Sequence, residues 1–165
     1  MKKLFIALFA LLVQFTIYAQ TPSESPVILA EEGQQAPEIA LPGLQGDTLT
    51  LSSLRGKYVV IDFWGSWCGW CIKGFPKMKE YYAKYRDKME ILGVDCRDTE
   101  VKWKAAVNQY QLPWKHVRSE LGQAQATYRV QGYPCKVIVD PSGKILKTIL
   151  GESEEFYTYL DELLG

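Results

Sequence analysis

Asp62-Phe63-Trp64-Gly65-Ser66-Trp67-Cys68-Gly69-Trp70-Cys71 is the stretch whose reading decides the fold. It completes an apolar run that begins at Tyr58-Val59-Val60-Ile61, so a buried strand carrying one charge ends near Gly65 and a Cys-x-x-Cys follows. Beyond it, Phe75, Met78, Tyr82 and Tyr85 share one face of a helix that starts near Cys68, with Pro76 expected to kink it. The first turn of a helix leaves backbone N–H groups unpaired, and the helix dipole places partial positive charge there. Both favour thiolate over thiol, so Cys68 is expected to be the acidic, attacking sulfur. Cys71 lies one turn further on, where it can resolve a mixed disulfide while staying less exposed.

Two blander uses of the pair are metal binding and an inert staple. Structural zinc needs four ligands, commonly in paired spacing. This chain has one Cys-x-x-Cys, two scattered cysteines at Cys96 and Cys135, and a single histidine, His116. A bridge across so short a loop constrains the unfolded chain little. Redox chemistry is the reading that uses the strand-to-helix context.

Outward from this centre, Ile91 to Asp95 reads as a second strand and Glu100 to Tyr110 as a helix with Trp103, Val107 and Tyr110 inward. His116 to Arg118 reads as extended, and Leu121, Ala124 and Tyr128 as a further helical stripe. Val137 to Val139, the Asp140-Pro141-Ser142-Gly143 turn and Ile145 to Leu150 predict a hairpin. A last helix should begin at Ser153, capped by its hydroxyl, with Glu154 and Glu155 at the positive helix end. On the N-terminal side, Glu38 to Leu41 and Thr48 to Leu51 flank a Gly43/Gly46 turn and predict a small hairpin. The element order predicts an α/β sandwich with a mixed sheet.

The 165 residues suit one domain, with 47% hydrophobic and 23% charged side chains. A formal net charge of zero argues against nucleic acid as a partner. Met1-Lys2-Lys3, the apolar run Leu4 to Val13 and small Ala19 have the layout of a signal peptide, expected over 1–19. The apolar run is about half the ~20 residues of a membrane span, so no permanent membrane anchor is expected. Residues 20–36, rich in Pro, Ser, Glu and Gln, read as a flexible leader, and 37–165 as the domain. Export, most simply to a periplasm, is the location these features predict.

On the decade from Asp62 to Cys71, the chain resembles thioredoxins. Gln35-Ala36-Pro37-Glu38-Ile39, the Leu51 to Lys57 stretch and the inserted helix around Glu100 to Tyr110 resemble the exported TlpA/ResA-type thiol–disulfide oxidoreductases. The likeness runs from about Gly33 to Leu164. It implies a thioredoxin-like sandwich: a central mixed sheet flanked by helices, with an N-terminal β-hairpin and an inserted helix. It also implies that Tyr133-Pro134 is a cis-proline loop facing the cysteine pair. Asp62 falls where thioredoxins carry a buried acid. Burial without a cation would raise its pKa and suit it to exchange protons with Cys71; the alternative is an aspartate turned to the rim. The dipeptide Gly69-Trp70 lacks the family's usual proline, and Gly74 stands where many TlpA/ResA-type proteins have glutamate.

Trp67, Trp70 and Tyr133 form a candidate aromatic rim. Trp67 and Tyr133, with Pro134, are read as the groove for a substrate polypeptide. For Trp70 the groove and simple packing around the helix start remain equally open. Tyr82, Tyr85, Trp103 and Tyr128 read as core, and His116 as a solvated or hydrogen-bonded loop residue. The expected function is thiol–disulfide exchange with exported protein thiols as a reductase. Cys68 attacks, Cys71 resolves and Asp62 handles protons; an upstream electron donor or acceptor is implied, and neither cofactor nor metal is expected. The alternative is a copper-delivery module using Cys68, Cys71 and His116. Peroxidase chemistry is disfavoured, because no peroxiredoxin-like environment is visible around Cys68. The family's sheet order implies that Cys96 and Cys135 lie on strands either side of the Asp62 strand, too far apart to bridge; both are expected free, Cys135 as a small buried side chain, with a third redox sulfur that intercepts Cys71 as the alternative.

Overall fold

A computed structural model describes residues 31–165; the expected signal peptide and most of the expected leader lie outside them. Seven strands and four helices follow in the order β1 (Ala40–Pro42), β2 (Thr48–Thr50), β3 (Tyr58–Trp64), α1 (Gly69–Tyr85), β4 (Met89–Cys96), α2 (Glu100–Gln109), β5 (Lys115–Ser119), α3 (Gln123–Thr127), β6 (Cys135–Val139), β7 (Ile145–Leu150) and α4 (Glu154–Leu164). A single 3₁₀ turn, Leu51–Leu54, joins β2 to β3.

Five strands form one sheet in the order β5-β4-β3-β6-β7. β3 runs parallel to β4 and antiparallel to β6, so the sheet is mixed and β3 is its middle strand. That position explains its sequence. A strand covered on both faces cannot alternate polar and apolar residues, and Val60, Ile61, Phe63 and Trp64 are all fully buried. Each such side chain contributes about 1.5–3 kcal/mol of burial free energy. On one face, Val60, Trp64, Ile91 and Ile138 meet α1, α2 and α4 through Phe75, Met78, Trp103 and Phe156. On the other, Ile61, Phe63, Val94 and Val137 meet α3 and the N-terminal segment through Ala124, Tyr128, Ile39 and Leu51.

The turns follow local chemistry. Asp140 Oδ1 accepts from the N–H groups of Ser142 and Lys144 at 2.8 and 2.9 Å, and Gly143 takes the positive φ that closes the β6–β7 hairpin. Thr99 caps α2 by accepting from the Lys102 N–H. Pro76 lies within α1, which runs on past it to Tyr85 although the Ile72 carbonyl loses its helical donor.

Three expectations need correction. Leu121 is 81% exposed and lies before α3, outside the apolar stripe of Ala124 and Tyr128. Ser153 occupies the cap position of α4, but its hydroxyl makes no hydrogen bond among the described residues, and the acidic first turn is what favours that helix end. Residues 33–36, assigned by composition to the leader, are pinned to the domain: Gly33 N–H donates to Ile145 O, Ile145 N–H to Gln34 O, and Ala36 N–H to Gly143 O. Composition measures hydrophobicity, and these contacts are made by backbone.

Candidate active site

The site is built where β3 stops. Gly65 leaves the strand in close quarters: a side chain there would meet the Trp67 indole at 2.7 Å and the Cys96 carbonyl at 2.9 Å. The next residue is held by a carboxylate, since Ser66 donates from its N–H and its hydroxyl to Asp98, at 2.6 and 2.7 Å. Trp67 Nε1 donates to Cys96 O at 2.9 Å. Three bonds thus tie the loop before Cys68 to the end of β4 and the chain just beyond it.

Cys68 is the N-cap of α1. The Cys71 N–H donates to Cys68 Sγ at 3.1 Å, so one of the orphan N–H groups of the first turn is aimed at the sulfur. The two cysteines form a disulfide with Cα atoms 5.3 Å apart. Cys68 is 6% exposed and Cys71 2%. Helix capping and the macrodipole both act on Cys68, and neither reaches Cys71 equally.

The Tyr133–Pro134 bond is cis. The Tyr133 ring meets Trp67 edge-on at 5.0 Å between centroids, which sets the proline loop beside the Cys68 loop. Trp67 is 47% exposed and Trp70 63%, so both present ring surface to solvent. Trp70 carries the Lys73 ammonium over its ring at 4.8 Å. Arg97, which sequence reasoning missed, completes the rim. Its guanidinium lies over both Trp67 and Tyr133, at 5.6 and 5.5 Å, from a backbone with positive φ. A groove of about 490 Å³ runs from Arg97 and Tyr133 along Ser119, Gln125 and Arg129. A lone arginine after a strand carries no sequence signal that would have singled it out.

Asp62 is buried at 1% exposure, on the α1 face of the sheet with Val60 and Trp64. Burial, the largest influence, pushes its carboxyl up to about 6, with Lys136 opposing and Glu152 reinforcing the rise. No lysine or arginine lies between Tyr58 and Cys71, but a cation reaches it from another strand. Lys136, directly opposite on β6, places its ammonium 4.0 Å from Asp62 Oδ1 and 2.9 Å from Glu152 Oε2. Desolvation nevertheless outweighs the attraction. A second buried acid, Asp95, is raised to about 8 by burial and by neighbouring Asp98, and neither of its carboxyl oxygens has a hydrogen-bond partner among the described residues.

Cys96 and Cys135 are free, buried and on the sheet face opposite α1, with β3 between their strands. Burial pushes their thiols up to about 12 and about 11, which keeps them protonated and unreactive at neutral pH. His116 is not a loop residue. It lies in β5 at 2% exposure, packed against Trp64 and Trp114, and burial lowers its pKa to about 4. No group of three or more metal-ligating side chains occurs among the described residues, so His116 is not brought together with Cys68 and Cys71.

With this geometry, comparison with known proteins is direct. The profile of the AhpC/TSA family matches residues 32–148. The chain is 34% identical over 154 residues to the thiol-disulfide oxidoreductase ResA of Bacillus cereus, covering 92% of this chain and 88% of that one. This chain belongs to the thioredoxin-like AhpC/TSA family. Among solved structures, the thioredoxin domain of a Bacteroides vulgatus thiol-disulfide oxidoreductase superposes with a TM-score of 0.75 at 29% identity, over 82% of this chain and 99% of that one. A thiol:disulfide interchange protein from a Bacteroides species gives 0.74 at 29%, over 82% and 91%. The family member described here is a thiol–disulfide oxidoreductase, and Cys68 and Cys71 are its redox pair. No helix among the described residues is long and apolar enough to cross a membrane.

Proposed function

We propose that this oxidoreductase works outside the cytoplasm, in the periplasm, as a reductase of disulfides in exported proteins. The observation that carries the direction is the modest support given to Cys68 Sγ. Among the described residues a single backbone donor, the Cys71 N–H, reaches it. A reduced form held by one backbone donor and the helix dipole is stabilised only modestly and favours giving its electrons away, whereas strong oxidants owe their potential to a strongly stabilised reduced form. The half-exposed ring of Trp67 and the partly buried ring of Tyr133 beside Pro134 support a polypeptide substrate, since such surfaces suit partly wet contacts.

In the proposed cycle the Cys68 thiolate attacks a substrate disulfide. A Cys68–substrate bond forms, and the first substrate sulfur leaves as a thiolate that takes a proton. Asp62 then accepts the Cys71 proton, and the Cys71 thiolate attacks Cys68 Sγ. The mixed disulfide breaks, the second substrate sulfur leaves, and the Cys68–Cys71 disulfide remains. The substrate has gained two electrons, which an upstream donor must restore to the pair. Every step uses side-chain sulfur and carboxyl groups, so no cofactor enters the cycle.

The test is to remove the resolving sulfur. Cys71→Ala, expressed in the native compartment, should accumulate mixed disulfides between Cys68 and exported proteins, visible as reducible adducts by mass spectrometry. An absence of protein adducts alongside an intact Cys68 thiol would exclude protein substrates.

A further inference from the structure

Two charged groups beside Asp62, Lys136 and Glu152, have no part in the exchange cycle. Lys136, on β6, is 1% exposed, and its ammonium stands between two carboxylates on different elements. Its hydrogen bond is to Glu152, in the turn between β7 and α4, at 2.9 Å; Asp62 stands off at 4.0 Å, with Oδ1 unbonded. Glu152 is itself fixed. Tyr157 on α4 donates its hydroxyl to Glu152 Oε1, and the Phe156 ring lies 5.2 Å from the Lys136 ammonium. Gly74, three residues beyond Cys71, lets the carboxylate settle against α1, because a side chain at that position would collide with it.

The geometry points to Glu152 as a positioning residue of the redox site: by holding the Lys136 ammonium away from Asp62, it governs how firmly the buried acid keeps its proton. This inference rests on the proposed role of Asp62 as the proton acceptor for Cys71. Two carboxylates share one buried ammonium, so the charge balances only while one of the acids is protonated. Glu152 has the shorter contact with the cation, 2.9 Å against 4.0 Å, and 15% side-chain exposure against 1% for Asp62. Asp62, 1% exposed and without a hydrogen bond at Oδ1, is the member that takes the proton.

The other groups around Asp62 do not supply that control. On β4 its partner is uncharged Gly93. Cys96 and Cys135 belong to the opposite face. On α4, Tyr157 acts through Glu152, and exposed Glu154 pairs with Lys77 of α1. Cys71, on α1, is the group whose proton is exchanged. The influences on Asp62 agree in sign with this arrangement, Lys136 favouring its ionised form and Glu152 opposing it.

Titrating the Asp62 carboxyl carbon by NMR tests the proposal without any substrate, so its outcome is separate from whether the protein reduces exported disulfides. Glu152→Gln removes a negative charge and releases the ammonium to Asp62. The Asp62 midpoint should fall by about one pH unit, and the limb on which exchange rises with pH should fall with it. Lys136→Met should move both upward. Glu152→Asp, which keeps the charge, should restore the midpoint at least in part. A structural role alone would cost stability without displacing the two midpoints in opposite directions. If Lys136→Met does not fold, Glu152→Gln decides alone: an unmoved or raised Asp62 midpoint overturns the proposal.

Discussion

Asp62→Asn is expected to slow exchange on the order of 10²-fold near neutral pH, the scale on which positioned general bases act, while making the fold more stable. The two effects have one cause. Burial raises the Asp62 carboxyl from an ordinary 3.8 to about 6. The folded state therefore binds the proton more tightly than the unfolded chain does. Folding stability from this group is fully present below about pH 4, falls as the pH rises towards 6, and stays lost above it. A displacement of that size corresponds to about 3 kcal/mol, which the uncharged amide would return at pH 7. Denaturant unfolding at pH 7 and pH 3.5 checks the sign: Asn should be the more stable at the higher pH and show no advantage at the lower. The rate profile gives the second check. The parent should speed up as Asp62 ionises through about pH 6, and the variant should lack that limb. Unchanged rate and unchanged stability together would place the carboxylate in water, against its 1% exposure.

Cys68→Ser should abolish exchange, a loss on the order of 10⁴-fold or more, because a serine hydroxyl at the same helix cap ionises far too weakly to attack a disulfide. Cys71 cannot take over, since it is the more buried sulfur and receives no backbone donor of the kind aimed at Cys68. The same asymmetry is open to chemical labelling. In the reduced protein, alkylation should modify Cys68 first, with an apparent pKa below the free-cysteine value of about 8.5. Cys96 and Cys135, buried and held protonated, should remain unmodified until the protein unfolds. Faster labelling of Cys71 than of Cys68 would reverse the assigned roles.

The parts of this molecule legible in its sequence are those whose chemistry is local. β3 could be read to its ends because a strand covered on both faces is written as a continuous apolar run. The helix start at Cys68 and the Asp140 turn were equally readable, since capping and turn chemistry act over a few residues. What escaped depends on register and on packing between distant segments. Lys136 reads as a lone charge in a short strand, and only the pairing of β6 with β3 sets it opposite Asp62. Glu152 looks like one of several acids heading α4 until Gly74 and Tyr157 fix it against α1. His116 was misjudged for the same reason: a polar residue in a five-residue edge strand carries no mark that the indoles of Trp64 and Trp114 will enclose it.

Equilibrating the Cys68–Cys71 pair with a redox buffer tests the central claim most directly. A dithiol whose thiolate has one backbone donor, behind which lies a buried acid, should have a reduction potential near about −270 mV, in the range of thioredoxin-like reductants. A value near about −120 mV would mark the reduced form as the stabilised one and the protein as an oxidant, contradicting the reductase reading.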